Sequence, residues 1–461
     1  MGVESLRYVI VVSVVFLCTL IFAQMSVRMD QALVDLDFLF EKMVNVHPNI
    51  FFFLSQEQAQ EEFIKVRTQI QSKESWNATD LFKVLSRFVA KFKDGHTYLS
   101  ITDLFSEYIS SGGKVIPLFV VFTDSDIRIL ESIDEELPPS SKLVSINDMS
   151  AEQLREEILS MVSFERESFA YARAQSLFHL FCWVIFGSRD RFTVRVLNDC
   201  GEIEEHEIDA VDFMKYREKR NQLNMGIEKL WDLSLVDQQT AIMTINTFGS
   251  EYEKQMRQFL KDSFEQIQKQ GITNLIIDIR KNGGGTTNIA EYLYSFLSDK
   301  PYRVFAQVHV KYSDEALKEL KIFDPILLFR VKVLNQKIII NRSSFKKPPK
   351  NPLRFNGNIY ILTGPLTFSA ATDFAAMIKD LSVGKVVGQE TGGLASCYGD
   401  VLSFTLPNSR LQLGVSFKYF VRCGDFDDGK GVIPDIVVEV DPFSQEIDQV
   451  VQAALNDIYG K

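Results

Sequence analysis

Residues 274–280 read NLIIDIR, almost continuously apolar, and 282–287 read NGGGTT ahead of the helical stretch NIAEYLYSFLS. A strand with apolar residues on both alternating faces must be covered on both sides, as strands are inside a parallel sheet. The same order recurs around it. QQTAIMTINTF precedes the amphipathic SEYEKQMRQFLKDSFEQIQKQG, NIYILTG runs into SAATDFAAMIKDLS, and KVVGQE follows. Buried strands alternating with helices predict an α/β core with largely parallel pairing over residues 221–461.

Upstream the period differs. Residues 26–105 carry apolar residues at helical spacing, as in MDQALVDLDFLFEKMVNVHP, and predict an N-terminal helical domain. Residues 106–220 mix alternating strands with helices, and SKLVSINDMSAEQL resembles the strand, turn and helix of a PDZ domain. This stretch predicts a small mixed α/β, PDZ-like module. The basic stretch from Lys332 to Lys350 reads as a surface loop with some strand content. Residues 1–25 are of another kind. Tyr8–Ala23 is uncharged and mostly apolar, and as a helix it would cover roughly 24 Å, short of the roughly 30 Å hydrocarbon core. A secretory signal is expected, or a retained anchor attaching the chain to a membrane through residues 8–23; either places the bulk of the protein outside the cytoplasm.

The net charge of -11 argues against a nucleic-acid partner, because phosphate neutralisation needs clustered Lys and Arg. Five cysteines are too few for a disulfide scaffold. Cys397 and Cys423 flank an apparent hairpin turning at Pro407-Asn408-Ser409, so either a disulfide or two free thiols fits them. With no C-x-x-C pair and no H-E-x-x-H helix, no metal is expected.

Three strand ends carry residues suited to chemistry. Gly283-Gly284-Gly285 lets backbone amides point into a site at a helix N-terminus, and the spacing fits no nucleotide loop. Ser369 stands at the mouth of the next helix, where the Ala370 amide can donate to a developing oxyanion; an ordinary helix cap is the plain alternative. Gly388-Gln389-Glu390-Thr391-Gly392-Gly393 ends a third strand.

Taken in order, NLIIDIRKNGGG, ILTGPLTFSAATDFAAMIKD, KVVGQETGG and GKGVIPDIVVE resemble the C-terminal processing, or tail-specific, serine peptidases, which include the tricorn core. The resemblance implies a ClpP/crotonase-like peptidase core, a peptide or protein substrate, no cofactor, and Ser369 as nucleophile. It further implies an oxyanion hole from Ala370 and Gly284. The branch with a Ser/Lys dyad needs a Lys where this chain has Leu394. Asp94-Gly95-His96-Thr97 instead resembles the D-G-H-T motif of the tricorn-like branch, implying His96 as general base, whose ordinary pKa suits neutral pH. That branch has an acid three residues before the second Gly of the last motif, which implies Asp428 as orienting acid with Asp427 as fallback. Two rivals remain: a non-catalytic binding protein or pseudoenzyme on this fold, and a crotonase-like acyl-CoA enzyme.

Overall fold

The computed structural model describes residues 26–133, 137–198, 200–321, 324–444 and 447–460. The apolar segment Tyr8–Ala23 lies outside them. No helix among the described residues is long and apolar enough to cross a membrane.

The central sheet has six strands in the order Trp231–Leu235, Thr240–Ile245, Asn274–Asp278, Asn358–Thr363, Lys385–Gly388 and Ile436–Val437. The first pair is antiparallel and every later pair is parallel. Alternation explains why NLIID carries no polar face. Leu275 and Ile277 join Ile359 and Ile361 against helices Glu253–Gln270, Thr287–Leu297 and Ala370–Asp380. Ile276 turns the other way, with Tyr360, Leu362 and Val387, against helix Gln449–Tyr459.

A second sheet runs in the order Ile338–Arg342, Phe305–Lys311, Gln412–Arg422, Cys397–Thr405. The basic stretch therefore supplies a strand, Ile338–Arg342. The short strand Tyr98–Ser100 adds to the same sheet by pairing with Gln412–Gly414. The expected hairpin forms about residues 406–411. Its Asn408 and Ser409 amides donate to the buried Asp35 carboxylate at 2.9 and 2.7 Å, which ties the turn to helix Met29–Val46.

The mixed module is an antiparallel sheet in the order Ile203–Asp209, Arg191–Leu197, Lys142–Ile146, Ile127–Ser132, Leu118–Phe122. The expected strand, turn and helix are present. Met149–Ser150 folds back on Lys142–Ile146, and the Ser150 hydroxyl accepts from the Gln153 amide to start helix Ala151–Ser160. Helices Glu167–Ser176 and Phe178–Phe186 follow before the sheet resumes. The N-terminal helices, the module and the hairpin share one apolar cluster, separate from that of the parallel sheet. The expected boundary at 105 falls inside helix Thr102–Ser110, so the first two units fold as one packed body.

The register corrects the disulfide expectation. Cys397 stands opposite Phe420, and Cys423 lies three residues further on, past the end of that strand. Both are buried free thiols, and Cys423 Sγ lies 3.4 Å from Asp380.

Candidate active site

Ser369 has φ 53° and ψ −131°, a left-handed φ that costs a non-glycine residue about 1–3 kcal/mol unless its surroundings impose it. They do so by hydrogen bonds around it. The Thr367 hydroxyl donates to the Ile279 carbonyl at 3.0 Å, the Phe368 amide to the Asn282 carbonyl at 3.0 Å, and the Thr372 hydroxyl to the Thr367 carbonyl at 3.1 Å. Ser369 is thus turned outward at the head of helix Ala370–Asp380 and is only partly buried. The Ala370 amide, at the first helical position, has no intrahelical carbonyl to meet.

The glycine run passes against this turn. Gly284 has φ 101°, and a Cβ there would lie 2.6 Å from Ser369 Cβ and 3.0 Å from the Ala370 nitrogen. Only glycine allows that approach. Asn282 is fully buried; its side-chain amide donates to the Ile245 carbonyl at 3.1 Å, and its Oδ1 accepts from the Gly284 amide at 2.9 Å. The Gly284 amide is therefore already engaged. Gly283 borders the cavity beside Ser369, with open space where a Cβ would be.

His96 reaches the site from the N-terminal unit. Thr97 accepts from the Ser416 amide at 3.2 Å, and Tyr98–Ser100 joins the second sheet, so the D-G-H-T turn is fixed on the hairpin. The imidazole is buried and stacks on Phe368 at 4.5 Å between ring centroids. Phe368 stacks in turn on Phe169 of the module, also at 4.5 Å. Neither ring nitrogen of His96 has a hydrogen-bond partner among the described residues. Burial lowers its pKa, opposed by the charges of Asp94 and Asp400.

The structure does not bring Asp428 to His96. Asp428 stands in an exposed turn, accepts from its own Lys430 amide at 3.2 Å and lies 4.0 Å from Arg422 Nη1. Asp427 accepts from the Tyr419 hydroxyl and the Gly429 amide. The carboxyl groups that do approach His96 are Asp94 and Glu165, whose oxygens lie with a His96 ring nitrogen within 4.8 Å of one another. Asp94 accepts from the His96 amide at 2.9 Å, His47 Nε2 at 3.1 Å, and the Thr97 and Ser416 hydroxyls at 2.6 Å each. Burial alone would raise its pKa, but His47, His96 and Ser416 outweigh that and hold it well below the usual carboxylate range. Glu165 sits in the loop between two module helices, and its Oε2 is buried with no partner among the described residues. Burial, then the Asp94 charge, push its pKa up to about 8, against the Gly95 and Glu165 backbone amides. The trio resembles a metal donor set, yet Asp94 Oδ2 already accepts three hydrogen bonds and Oδ1 the His96 amide.

His96, Ser369 and Gly283 border one cavity of about 580 Å³. Its wall is largely apolar, with Leu99, Ile101, Phe169, Leu180 and Phe181 among the lining residues. It also holds Arg173, Arg220 and Lys281, and no Asp or Glu among the described residues lines it. Burial lowers the pKa of the Arg173 guanidinium, with Tyr98 opposing and Arg220 adding to the effect. Burial lowers that of Lys281 as well, with Asp278 opposing. The ammonium of Lys281 donates to the Asn224 and Gly226 carbonyls. An acid-free, low-dielectric cavity with three cations concentrates positive potential inside a net acidic protein.

Comparison with known proteins agrees with this architecture. The family model described as "Peptidase family S41" matches residues 239–438, which span the parallel sheet, the glycine run, Ser369 and the last motif. Over those residues the chain is similar to peptidase family S41. The crystal structure of mature CPAF superposes with a TM-score of 0.65 at 16% identity, covering 94% of this chain and 98% of that one. Mature CPAF complexed with lactacystin gives 0.64 at 14%, covering 94% and 99%. The fold thus extends beyond the S41 domain to the N-terminal helices and the module. The expected α/β fold of a peptidase core is present.

Sequence reasoning missed Asn282 as the brace between strand and glycine run, Phe368 as the ring under His96, and Glu165 altogether. Asn282 and Phe368 lie within motifs, where their neighbours drew the attention. Glu165 lies in SFERESF, which carries no pattern, and the three cavity cations come from three separate segments.

Proposed function

We propose that the chain is a serine peptidase in which Ser369 attacks the peptide carbonyl and His96 takes its proton. The observation that carries this is the forced left-handed turn at Ser369, which presents its hydroxyl beside a glycine run in the cavity that His96 borders. A helix cap would need no such strain, and the Ser369 side chain makes no capping hydrogen bond. The Ala370 and Gly283 amides would receive the oxyanion. The imidazolium would then protonate the leaving amine, and water, activated by His96, would release the acyl group. The three cations and apolar wall favour a substrate with a carboxylate flanked by apolar side chains.

A second reading is a binding protein on the same fold. It is favoured by the absence of any hydrogen bond from His96 to Ser369, although catalytic hydrogen bonds are commonly long before substrate arrives. A fluorophosphonate probe separates the two. Labelling of the full chain is expected, lost in Ser369→Ala, and slowed more by an apolar peptide acid than by the same peptide as its amide. A chain that binds the peptide but never labels would be the binding protein, and equal protection by acid and amide would remove the carboxylate preference.

A further inference from the structure

A histidine that accepts a proton at one ring nitrogen needs an acceptor at the other, to fix the ring and stabilise the charged form. Three carboxylates stand beside or near His96, Asp94, Asp400 and Glu165, while Asp428 is held away from it, and their hydrogen bonds distinguish them. Asp94 accepts four, three at Oδ2 and the His96 amide at Oδ1, so both of its oxygens are already engaged. Asp400 is held by Lys418, and Asp428 by the turn that contains it. Glu165 alone has a buried oxygen with no partner, within 4.8 Å of an imidazole whose nitrogens are equally unpartnered. Two unmet buried polar groups at that separation are within reach of a small approach, and each is costly while it stays unpaired.

The surroundings are built for this approach. A Cβ on Gly95 would lie 2.7 Å from Glu165 Oε2, so the glycine of the D-G-H-T turn is what admits the carboxyl. Arg166, the next residue, pairs with Glu390 of the core, and Phe169 continues the stack through Phe368 to His96. The residues just after Glu165 are thus fastened to the core, one to Glu390 and one to Phe368 of the nucleophile's turn.

We propose that Glu165, supplied by the inserted module, is the positioning residue that orients His96 and stabilises its imidazolium. This rests on the serine-peptidase reading. As the Ser369 hydroxyl proton passes to one ring nitrogen, the other ring N–H donates to the Glu165 carboxylate. That proton stays on the imidazole, the transferred one leaves with the amine, and Glu165 remains ionised throughout. The module then completes the site as well as covering it. Glu165 must be ionised to act, and its raised pKa puts that step near pH 8. The other titratable groups facing the pair are Asp94 on the same turn and Asp400 and Cys397 on the neighbouring strand, with Asp373 behind Cys397 on the helix after Ser369.

The test uses the full chain and needs no known substrate. Glu165→Gln copies the size of the neutral carboxyl and should fold. It is expected to slow fluorophosphonate labelling of Ser369 about a hundredfold with unchanged probe affinity, and to abolish a rise in rate with pH near 8. Glu165→Asp should recover part of the rate. Wild-type labelling by Glu165→Gln, or a hundredfold loss in Asp428→Asn with none in Glu165→Gln, overturns the proposal. If the wild-type chain does not label, the serine reading has failed by itself, and NMR titration of His96 still decides the pair. A His96 pKa that moves by a unit or more in Glu165→Gln supports it, and an unmoved one overturns it.

Discussion

Two buried carboxyl groups stand beside the same imidazole and are treated in opposite ways. Asp94, from the N-terminal unit, is surrounded by four donors and stays ionised far into acid. Glu165, from the module, has a bare oxygen and holds its proton up to about pH 8. Both are desolvated, so burial does not explain the difference; the donors and the neighbouring charges each meets do. One region uses its carboxylate as a bracket for the backbone of the D-G-H-T turn, and the other keeps a carboxyl available for a change of charge.

The largest effect should come from emptying the bracket. Asp94→Ala leaves the His96 amide, the His47 imidazole and two hydroxyls without their acceptor, and should cost roughly 3–5 kcal/mol in urea unfolding. A loss below about 1 kcal/mol would mean that Asp94 is no more structural than Glu165. Next comes Gly95→Ala, which forces a Cβ to 2.7 Å from Glu165 Oε2 and 2.9 Å from the Phe368 ring. It should destabilise by about 1–3 kcal/mol and slow Ser369 labelling, since both neighbours belong to the His96 surroundings. Normal stability with normal labelling would show that the carboxyl and ring can move aside freely.

The smallest effect is a slope. Asp94 has its pKa depressed in the folded state, so its contribution is full above the unfolded value of about 3.9 and is lost as pH falls below it. Glu165 has the opposite sign. Between about pH 4.3 and about 8 the folded chain keeps a proton that the unfolded chain has released, so stability declines as pH rises through that window. Glu165→Gln should flatten this decline and match wild type near pH 4. Parallel pH profiles for the two proteins would remove the distinction between the carboxyls.

The core was legible because its signals are local. Continuous apolar strands, glycines at strand ends and a serine before a helix each follow from a few adjacent residues, and they carried the parallel sheet, the Ser369 turn and the glycine run. The His96 turn was legible as a short motif. Its acid was not. Asp428 was implied by position in a motif, but the turn spends that carboxylate on the Lys430 amide and directs it toward Arg422. The Gly284 amide was implied as an oxyanion donor, but the buried Asn282 side chain takes it.

By itself, then, the sequence determined the parallel sheet within residues 221–461 and the residue types at its strand ends, because apolar periodicity and glycine spacing act over neighbouring positions. Only the tertiary structure decided which carboxyl meets His96, which amide remains free and what charge the cavity presents. Those depend on Glu165, Arg173, Arg220 and Lys281 arriving from distant segments, and on the hydrogen bonds that occupy Asp94 and leave Glu165 bare.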